Sequence, residues 1–219
     1  MQASEREISS DPGWGELEQQ ETEMGLTAKS SGEDFAPHPA GTVIGLCYSV
    51  VDLGTQTGGN FGPKHECVIT WESTELMEDG RPFALSKFYT VSLNEKANLY
   101  HDLVSWRGRD FTPEELAGFN VANVLGAPAM LTVVHDDKGK ARVAGVAKAM
   151  KGVAVPEPVN QRCQFSFEDD PVSIPEHMPE WLQKRVMAAQ EWSGNSAAPT
   201  TDAREGGFDS DDFDDSIPF

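Results

Sequence analysis

Apolar and polar positions alternate most clearly in the middle of the chain, where they predict β-strands. Residues 42–53 are β-branched and apolar, and Gly45 interrupts them. A long strand with an internal glycine indicates a bend or bulge, which is how a first strand turns the corner of a small Greek-key barrel. Residues 66–73 alternate as well, with Trp71 on the same face as its apolar neighbours. The pattern predicts two strands here.

The loop between these strands, residues 54–63, contains four glycines and one proline and leads directly into Lys64. Flexible backbone beside a cation suits a loop that closes over a ligand. A plain hairpin connection explains the same composition equally well. Lys64 therefore enters the list of candidate binding residues.

Three further strands and two helices follow. Residues 84–93 alternate, and residues 130–135 and 141–147 form a hairpin around a Lys-Gly-Lys turn. Between them, apolar spacing predicts a helix over 95–106, and Thr112 can cap a second, short helix. Five strands with helices between the third and fourth follow the order of an OB-fold. The predicted fold class is mainly β: a five-stranded Greek-key OB-fold barrel with inserted and C-terminal helices and disordered acidic termini.

Composition divides the chain into four parts. Residues 1–40 are polar and acidic and are predicted to be disordered. Residues 41–160 form the barrel domain, and residues 161–192 are a C-terminal extension with an amphipathic helix over 179–192. Residues 193–219 are a disordered acidic tail whose end is suited to docking on a partner.

The net charge of −19 is unevenly distributed along the chain. Residues 1–40 carry −7 and residues 193–219 carry −6, so the 152 residues between them carry only −6. Acidity argues against nonspecific binding to polyanions, but most of this acidity lies at the ends. The central domain should therefore repel DNA much less than the overall charge indicates.

Cysteine usage and hydropathy indicate the compartment. Cys47, Cys67 and Cys163 are widely separated and odd in number, so they fit neither a disulfide framework nor a zinc site. No apolar run has the length of a membrane span, and the N-terminus lacks the basic and apolar stretches of a signal peptide. We therefore expect a cytoplasmic protein without a membrane partner.

Single-stranded DNA is held by cations along its backbone and by aromatic faces on which bases stack. Residues 87–151 hold nine Lys or Arg against seven Asp or Glu, which reverses the sign of the whole chain. The candidate DNA-binding residues are Lys64, Trp71, Lys87, Tyr89, Trp106, Arg107, Arg109, Lys138, Lys140 and Arg142. Alternation places Lys87 and Tyr89 on one face of the third strand, predicted to face a groove, and Phe88 in the core.

Each of these candidates also has a simpler explanation. A tryptophan such as Trp71, beside alternating apolar residues, belongs to a core slightly more often than to a binding face. Arg107 and Arg109 can pair with Asp102 or Asp110 on an ordinary surface. The cations of the last hairpin can belong to a solvated turn.

The chain shows no catalytic constellation. Its histidines lack neighbours at metal-ligand spacing, and no phosphate-binding glycine loop occurs. The acidic pairs Glu114-Glu115 and Asp136-Asp137 lie at a helix start and a turn, where carboxylates have structural roles. We expect no enzyme activity, no cofactor and no metal site. A metal-dependent nuclease built on scattered carboxylates is the enzyme class that this pattern leaves open.

The last dozen residues, 208–219, contain five aspartates and no basic residue, and they end in Ile-Pro-Phe. Such a segment cannot bury enough apolar surface to fold alone. It suits a docking peptide, because an aromatic ring can fill a pocket and aspartates steer towards a basic surface. The candidate partner-binding residues are Asp211, Asp212, Phe213, Asp214, Asp215, Ile217, Pro218 and Phe219.

This ending resembles the C-terminal tip of bacterial and phage single-stranded DNA-binding proteins, with Ser216 as a mild departure. Residues 87–93, 106–112 and 131–135 also resemble phage-encoded proteins of this type. The resemblance implies an OB-fold that binds single-stranded DNA without sequence preference. It also implies a tip that recruits replication, recombination or repair enzymes, and the host-cell cytoplasm for a phage-encoded chain. The sequence leaves a homo-oligomer open.

Other interpretations stay open at this point. The chain could be an acidic interaction protein or DNA mimic that docks its tip on a replication enzyme without binding DNA, which its charge favours. The tip could simply be an acidic solubility tail. It could also add a strand to a PDZ-type receptor, although Pro218 lacks the amide that such a strand needs.

Overall fold

The computed structural model describes residues 36–57, 62–153, 155, 157–169 and 171–192. These residues belong to one compact unit that begins at Ala36. The predicted disorder of the two acidic ends and the predicted docking tip fall almost wholly on residues 1–35 and 193–219, outside the described residues.

The strands of the described chain are β1 Gly41–Gln56, β2 Lys64–Leu76, β3 Pro82–Thr90, β4 Pro128–His135, β5 Ala141–Lys148 and β6 Cys163–Phe165. The helices are α1 Asn98–Arg107, α2 Pro113–Ala117 and α3 Glu180–Met187, with a 3₁₀ turn at Val121–Val124. The predicted strands and inserted helices are therefore present, within a few residues of their expected ends. β6 was not predicted, because three residues are too few to show an alternation.

The strands form one sheet in the order β3-β2-β1-β4-β5, in which all neighbours are antiparallel. β6 pairs in parallel with β1 at Ser49, Val50 and Val51, beyond the point where the β4 ladder ends. The prediction of a mainly β fold is confirmed. The sheet is open, since no ladder among the described residues joins β3 to β5.

Strand β1 is irregular, and its glycine at position 45 is closely packed. A Cβ at Gly45 would lie 2.6 Å from Leu131 Cδ1 and 3.1 Å from Trp71 Cβ, so only glycine fits between the neighbouring strands. The register shifts at two further points of β1, between Cys47 and Ser49 and between Asp52 and Gly54. Each shift exchanges the side chains that point to the two faces of the sheet.

Both faces of the sheet carry a buried cluster. The inner cluster lies between the sheet and α1 and consists of Val43, Cys47, Val50, Cys67, Ile69, Trp71, Leu85, Tyr89, Leu99, Leu103, Trp106, Phe111, Val124, Ala129, Leu131, Val133, Val143 and Val146. The outer cluster consists of Val51, Leu53, Val68, Cys163, Phe165, Met178, Leu182 and Val186. The extension beyond residue 160 therefore covers the outer face of β1 and β2.

Polar contacts fasten the extension, and the two residues that precede it, to the sheet. The buried Glu72 carboxylate accepts from the backbone amides of Val159 and Asn160, each at 2.8 Å, and from the Asn160 side chain at 2.7 Å. At the other end, Glu191 accepts from the Thr55 amide at 2.7 Å and from its hydroxyl at 2.5 Å. A buried carboxylate that receives three N–H groups is well satisfied, so these contacts fix where the extension crosses the sheet.

Candidate nucleic-acid interface

The loop between α1 and α2 is shaped by two backbone signals in the sequence. α1 ends at Gly108, whose left-handed φ of 68° suits glycine and whose amide donates to the Val104 carbonyl at 2.8 Å. α2 begins at Thr112, whose hydroxyl accepts from the Glu115 amide. The Glu115 carboxylate completes a capping box by accepting from the Thr112 amide at 3.0 Å. The capping function predicted for Thr112 is confirmed.

The capping carboxylate also holds two arginines. Arg109 donates two hydrogen bonds to Glu115, at 2.7 and 2.9 Å, and Arg107 forms an ion pair with the same carboxylate. These hydrogen bonds, from Arg109 first and Arg107 second, hold the pKa of Glu115 well below its usual range. Both arginines are therefore paired, as the simpler explanation predicts, but the carboxylate that pairs with them belongs to Glu115. Asp110 accepts from Arg109 through its backbone carbonyl, at 3.4 Å.

The two arginines differ in what they leave exposed. The Arg107 side chain is 12% exposed, and its guanidinium lies 4.3 Å from the Phe111 ring centre and 5.1 Å from the Phe119 ring centre. The Arg109 side chain is 56% exposed. Arg107 therefore fixes the loop, while Arg109 presents its remaining donors to solvent.

Lys148, at the end of β5, reaches the same place. A Cβ at Gly108 would lie 2.9 Å from Lys148 Cδ and 3.5 Å from its ammonium nitrogen, so the exposed lysine lies over the loop. We call Arg107, Arg109, Glu115 and Lys148 the arginine corner. Arg107 and Arg109 share the Glu115 carboxylate, and Lys148 lies over the same loop, so these four side chains carry a net charge of +2. Sequence reasoning missed Lys148, which directly follows the predicted strand 141–147 and is the last residue of β5 in the structure.

Lys87 and Tyr89 meet α1 rather than a groove. The Asp102 Oδ2 atom accepts from the Lys87 ammonium at 2.8 Å and from the Tyr89 hydroxyl at 2.8 Å. Burial, followed by the neighbouring Asp102, raises the pKa of Tyr89 well above its usual value. Lys87 also donates to the Ala144 carbonyl of β5 at 3.3 Å. A side chain thus bridges the two edges of the open sheet.

The predicted alternation on β3 is right, but its assignment to the two faces is wrong. Lys87 and Tyr89 do share a face, and that face points into the inner cluster. Phe88 lies on the opposite face, half-buried against the outer cluster. The sequence could not decide between the faces because the extension buries the second one as well.

The three aromatic candidates for base stacking lie in the core. The exposed fractions of Trp71, Tyr89 and Trp106 are 0%, 3% and 6%. The two tryptophans pack on each other with ring centres 5.5 Å apart, and Trp106 donates to the Pro128 carbonyl at 2.8 Å. A base needs an open ring face, so the prediction that these three residues stack on bases is wrong.

The candidate cations of the β4–β5 hairpin surround Asp136. Its carboxylate accepts from the backbone amides of Lys140 at 2.7 Å and Lys138 at 3.1 Å, and from the Arg142 side chain at 2.9 Å. The amide of Lys140 is the largest cause of the lowered pKa of Asp136. The two lysine residues are exposed. Asp136 thus builds the turn that presents them.

Lys64 begins β2 and is half-buried, opposite Gln56 in the ladder. The glycine-rich loop before it includes residues 58–61, which lie outside the described residues. Its two explanations, a ligand-closing loop and a plain connection, therefore both stand.

On the outer face, Trp181 of α3 is 46% exposed. Its ring centre lies 6.1 Å from that of Phe88, and the Arg185 guanidinium lies 5.0 Å from the same Phe88 ring. Sequence reasoning missed this group. The signal that could have found it is the i, i+4 spacing of Trp181 and Arg185, which places both on one side of a helix.

Within the described part of the chain, His, Cys, Asp and Glu side chains nowhere gather in threes as a metal-binding group. The helices described there are also too short or too polar to span a bilayer. Comparison of the whole sequence with protein-family models and with curated proteins gives no match to either.

Proposed function

We propose that the chain is a sequence-independent single-stranded DNA-binding protein of phage DNA replication or recombination, which recruits partner enzymes through its acidic C-terminal tip. The observation that carries this proposal is the ending at residues 208–219, where aspartates precede a terminal Ile-Pro-Phe. The proposal places the protein in the cytoplasm of the host cell. It has no need of a catalytic group, a cofactor or a metal.

The strand order supports an OB-like domain as the DNA-binding part. β1 pairs with both β2 and β4, β3 and β5 form the two edges, and α1 and α2 lie between β3 and β4. OB-folds are partly open barrels with this arrangement. The contact from Lys87 to the Ala144 carbonyl brings the two edges together without a ladder. We propose a barrel that is closed at this point by side chains.

The arginine corner and the β4–β5 turn supply the cations for the DNA backbone. Glu115 holds Arg109 in place while leaving its side chain more than half exposed, so a phosphate can share the guanidinium without a large ordering cost. Lys148 offers a second cation over the same loop, and Lys138 and Lys140 offer two more on the exposed turn. Neutralisation of phosphates by such side chains gives affinity without sequence preference.

The test is a titration of a fluorescently labelled oligothymidine with the full-length chain, followed by anisotropy at two salt concentrations. We expect tight binding to the single strand, weaker binding to a duplex of the same length, and a loss of affinity with salt of about 0.7 log units per decade for each phosphate neutralised. A chain lacking residues 208–219 runs in parallel. Absence of binding at low salt in both forms would refute the DNA-binding proposal.

Arg109→Ala tests the arginine corner within this proposal. We expect weaker binding and a salt slope that is shallower by about 0.7, the contribution of one phosphate contact. The matched control is Arg81→Ala, which removes an exposed cation paired with Asp79 at the β2–β3 turn. Equal slopes for both variants would remove Arg109 from the interface.

One observation favours the alternative, in which the chain is an acidic interaction protein or DNA mimic. Lys87, Arg107, Arg109 and Arg142 are each paired with a carboxylate, which leaves fewer available cations than the sequence indicates. A chain that fails to bind oligothymidine but retains binding of a replication enzyme through residues 208–219 would establish that function instead.

A further inference from the structure

The outer face of the sheet carries an aromatic group that none of the assigned functions uses. Among the described residues, Trp181 is the aromatic side chain that belongs with the exposed large apolar residues. It is held in place by Leu182 and Val186, the buried residues of α3, which anchor the helix in the outer cluster. Because the helix already positions this indole, a ligand that binds to its exposed side loses little free energy to ordering the side chain.

Two further side chains complete the group. The Phe88 ring lies below Trp181, at 6.1 Å between ring centres and an interplanar angle of 55°. The Arg185 guanidinium lies 5.0 Å from the Phe88 ring centre and pairs with Glu66 at 3.1 Å. We call Trp181, Phe88 and Arg185 the Trp181 patch. It combines an aromatic surface with a cation one helical turn away.

The position of the patch in the sheet indicates its ligand. Phe88 points away from the inner cluster, and the hydroxyl residues Ser86 and Thr90, which lie on the same side of β3, are exposed. In OB-folds, the face formed by strands 2 and 3 is the one that binds oligonucleotides. The Trp181 patch lies on that face of this sheet.

We propose that Trp181 and Phe88 form a stacking platform for a base of single-stranded DNA, and that Arg185 holds a neighbouring phosphate. This inference rests on the proposed DNA-binding function and deepens it by replacing the buried aromatic candidates with exposed ones. It also gives the extension a binding function in addition to covering the sheet.

The size and surroundings of the patch favour a nucleic acid over a second protein. A stable protein interface buries roughly 800 Å² on each partner around an apolar centre. This patch is one indole, one half-buried phenyl ring and one guanidinium, bordered by hydroxyl groups and by the carboxylate Glu66 that pairs with Arg185. Such a mixture matches a stacked base and its phosphate.

The charges around the patch also predict a competition. Arg185 is paired with Glu66, and Lys184 is paired with Glu180 at 2.8 Å. A phosphate on Arg185 must take the place of Glu66. The carboxylate therefore weakens binding, and its removal should strengthen it.

Trp181→Ala is the first test, measured by anisotropy of labelled oligothymidine with the full-length chain. We expect a dissociation constant about 5- to 150-fold higher, the range for loss of one stacked base. Trp181→Phe should recover part of the affinity, because it keeps an aromatic face. The matched control is Met187→Ala, which removes an exposed apolar side chain from the same helix.

Glu66→Gln is the second test, and the expected change has the opposite sign. Freed from its carboxylate partner, Arg185 should bind phosphate better, so the dissociation constant should fall by a few-fold at low salt. Glu180→Gln serves as the control, since it frees Lys184 instead. No gain for Glu66→Gln relative to this control would contradict the assignment of Arg185.

The outcomes separate this inference from the function on which it rests. If the unmodified chain binds oligothymidine and Trp181→Ala binds equally well, the platform is refuted while the DNA-binding proposal stands. If no form binds, the proposed function itself fails. If Trp181→Ala keeps its affinity but loses self-association by light scattering, the patch is a contact between copies.

Should the alanine variant not fold, oligothymidine must protect the exposed indole of the unmodified chain from acrylamide quenching, and unchanged quenching would refute the platform.

Discussion

The two faces of the sheet are both buried, but they are held by different means. The inner cluster is continuous apolar packing between the sheet and α1, centred on the pair Trp71 and Trp106. The outer cluster is smaller, and carboxylates fasten its covering segment at both ends, through Glu72 and Glu191. Apolar packing depends on burial and shape, whereas carboxylate anchors depend on N–H and O–H donors held in the right positions. We therefore expect the inner layer to be the more stable of the two.

Trp71→Ala should have the largest effect on this comparison. Its indole is fully buried between β1, β3 and Trp106, so truncation leaves a large cavity and costs about 3–5 kcal/mol of unfolding free energy. Urea denaturation followed by circular dichroism measures the change. The matched variant is Trp181→Ala, on the exposed side of the outer layer. It should lower the unfolding free energy far less than Trp71→Ala does. Similar losses for the two tryptophans would contradict the assignment of the inner layer as the stable one.

Glu72→Ala should have an intermediate and more local effect. It leaves the amides of Val159 and Asn160 without their acceptor, which costs about 1–3 kcal/mol. We expect faster hydrogen exchange at these amides and earlier proteolysis after residue 153, with little change in the inner strands. Glu75→Ala is the control, because that carboxylate lies on the same strand and is 47% exposed. Equal acceleration throughout the sheet would mean that the two layers unfold together.

Gly108→Ala should cost about 1 kcal/mol, because alanine must adopt a left-handed conformation at the end of α1. The new Cβ also meets Lys148 Cδ at 2.9 Å, which the flexible lysine can relieve by moving away. Stability is measured by thermal denaturation, and DNA affinity is measured beside it. Gly80→Ala, another left-handed glycine with open space around its Cβ, isolates the effect of the lysine contact. Equal DNA affinities for the two variants would show that Lys148 is not needed over the loop.

The smallest expected effect is the pH dependence from Glu115. Its pKa in the folded chain lies well below the unfolded value of about 4.3, since Arg109 and Arg107 donate to the carboxylate. Ionised Glu115 therefore stabilises the fold above that unfolded value, and the contribution is lost as pH falls towards the folded pKa. We would measure the melting temperature at neutral pH and near pH 3. The difference between the two melting temperatures should be smaller for Glu115→Gln than for the unmodified chain. An equal difference would remove this group from the acid response.

The main strands could be predicted because their alternation is local. Trp71 and Tyr89 each follow the period of two in their strand, and the structure keeps that period. What the alternation could not show is which face is the core, because residues 68–71 are buried on both sides. The alternation shows which side chains share a face of the sheet. It does not show that the C-terminal extension buries the outer face as well.

Charge pairing was the part of the site least accessible to prediction. Glu115 was recognised as a helix-start residue, but its selection of both Arg107 and Arg109 depends on how α1 and α2 meet. Lys87 and Asp102 are 15 residues apart, and their contact depends on α1 crossing the edge of β3. Such pairs depend on the relative positions of whole elements, which no local pattern encodes.

The parallel pairing of β6 with β1 has a consequence for the order in which the chain folds. β1 is made early in synthesis, but the strand and helix that cover its outer side come more than a hundred residues later. Until those residues leave the ribosome, Val51, Leu53 and Val68 have no partner for their apolar surface. We therefore expect a nascent chain that pauses before β6 to expose the apolar outer face of the sheet. A chain truncated before β6 should aggregate for the same reason. The outer face can be buried only after the C-terminal extension has been synthesised.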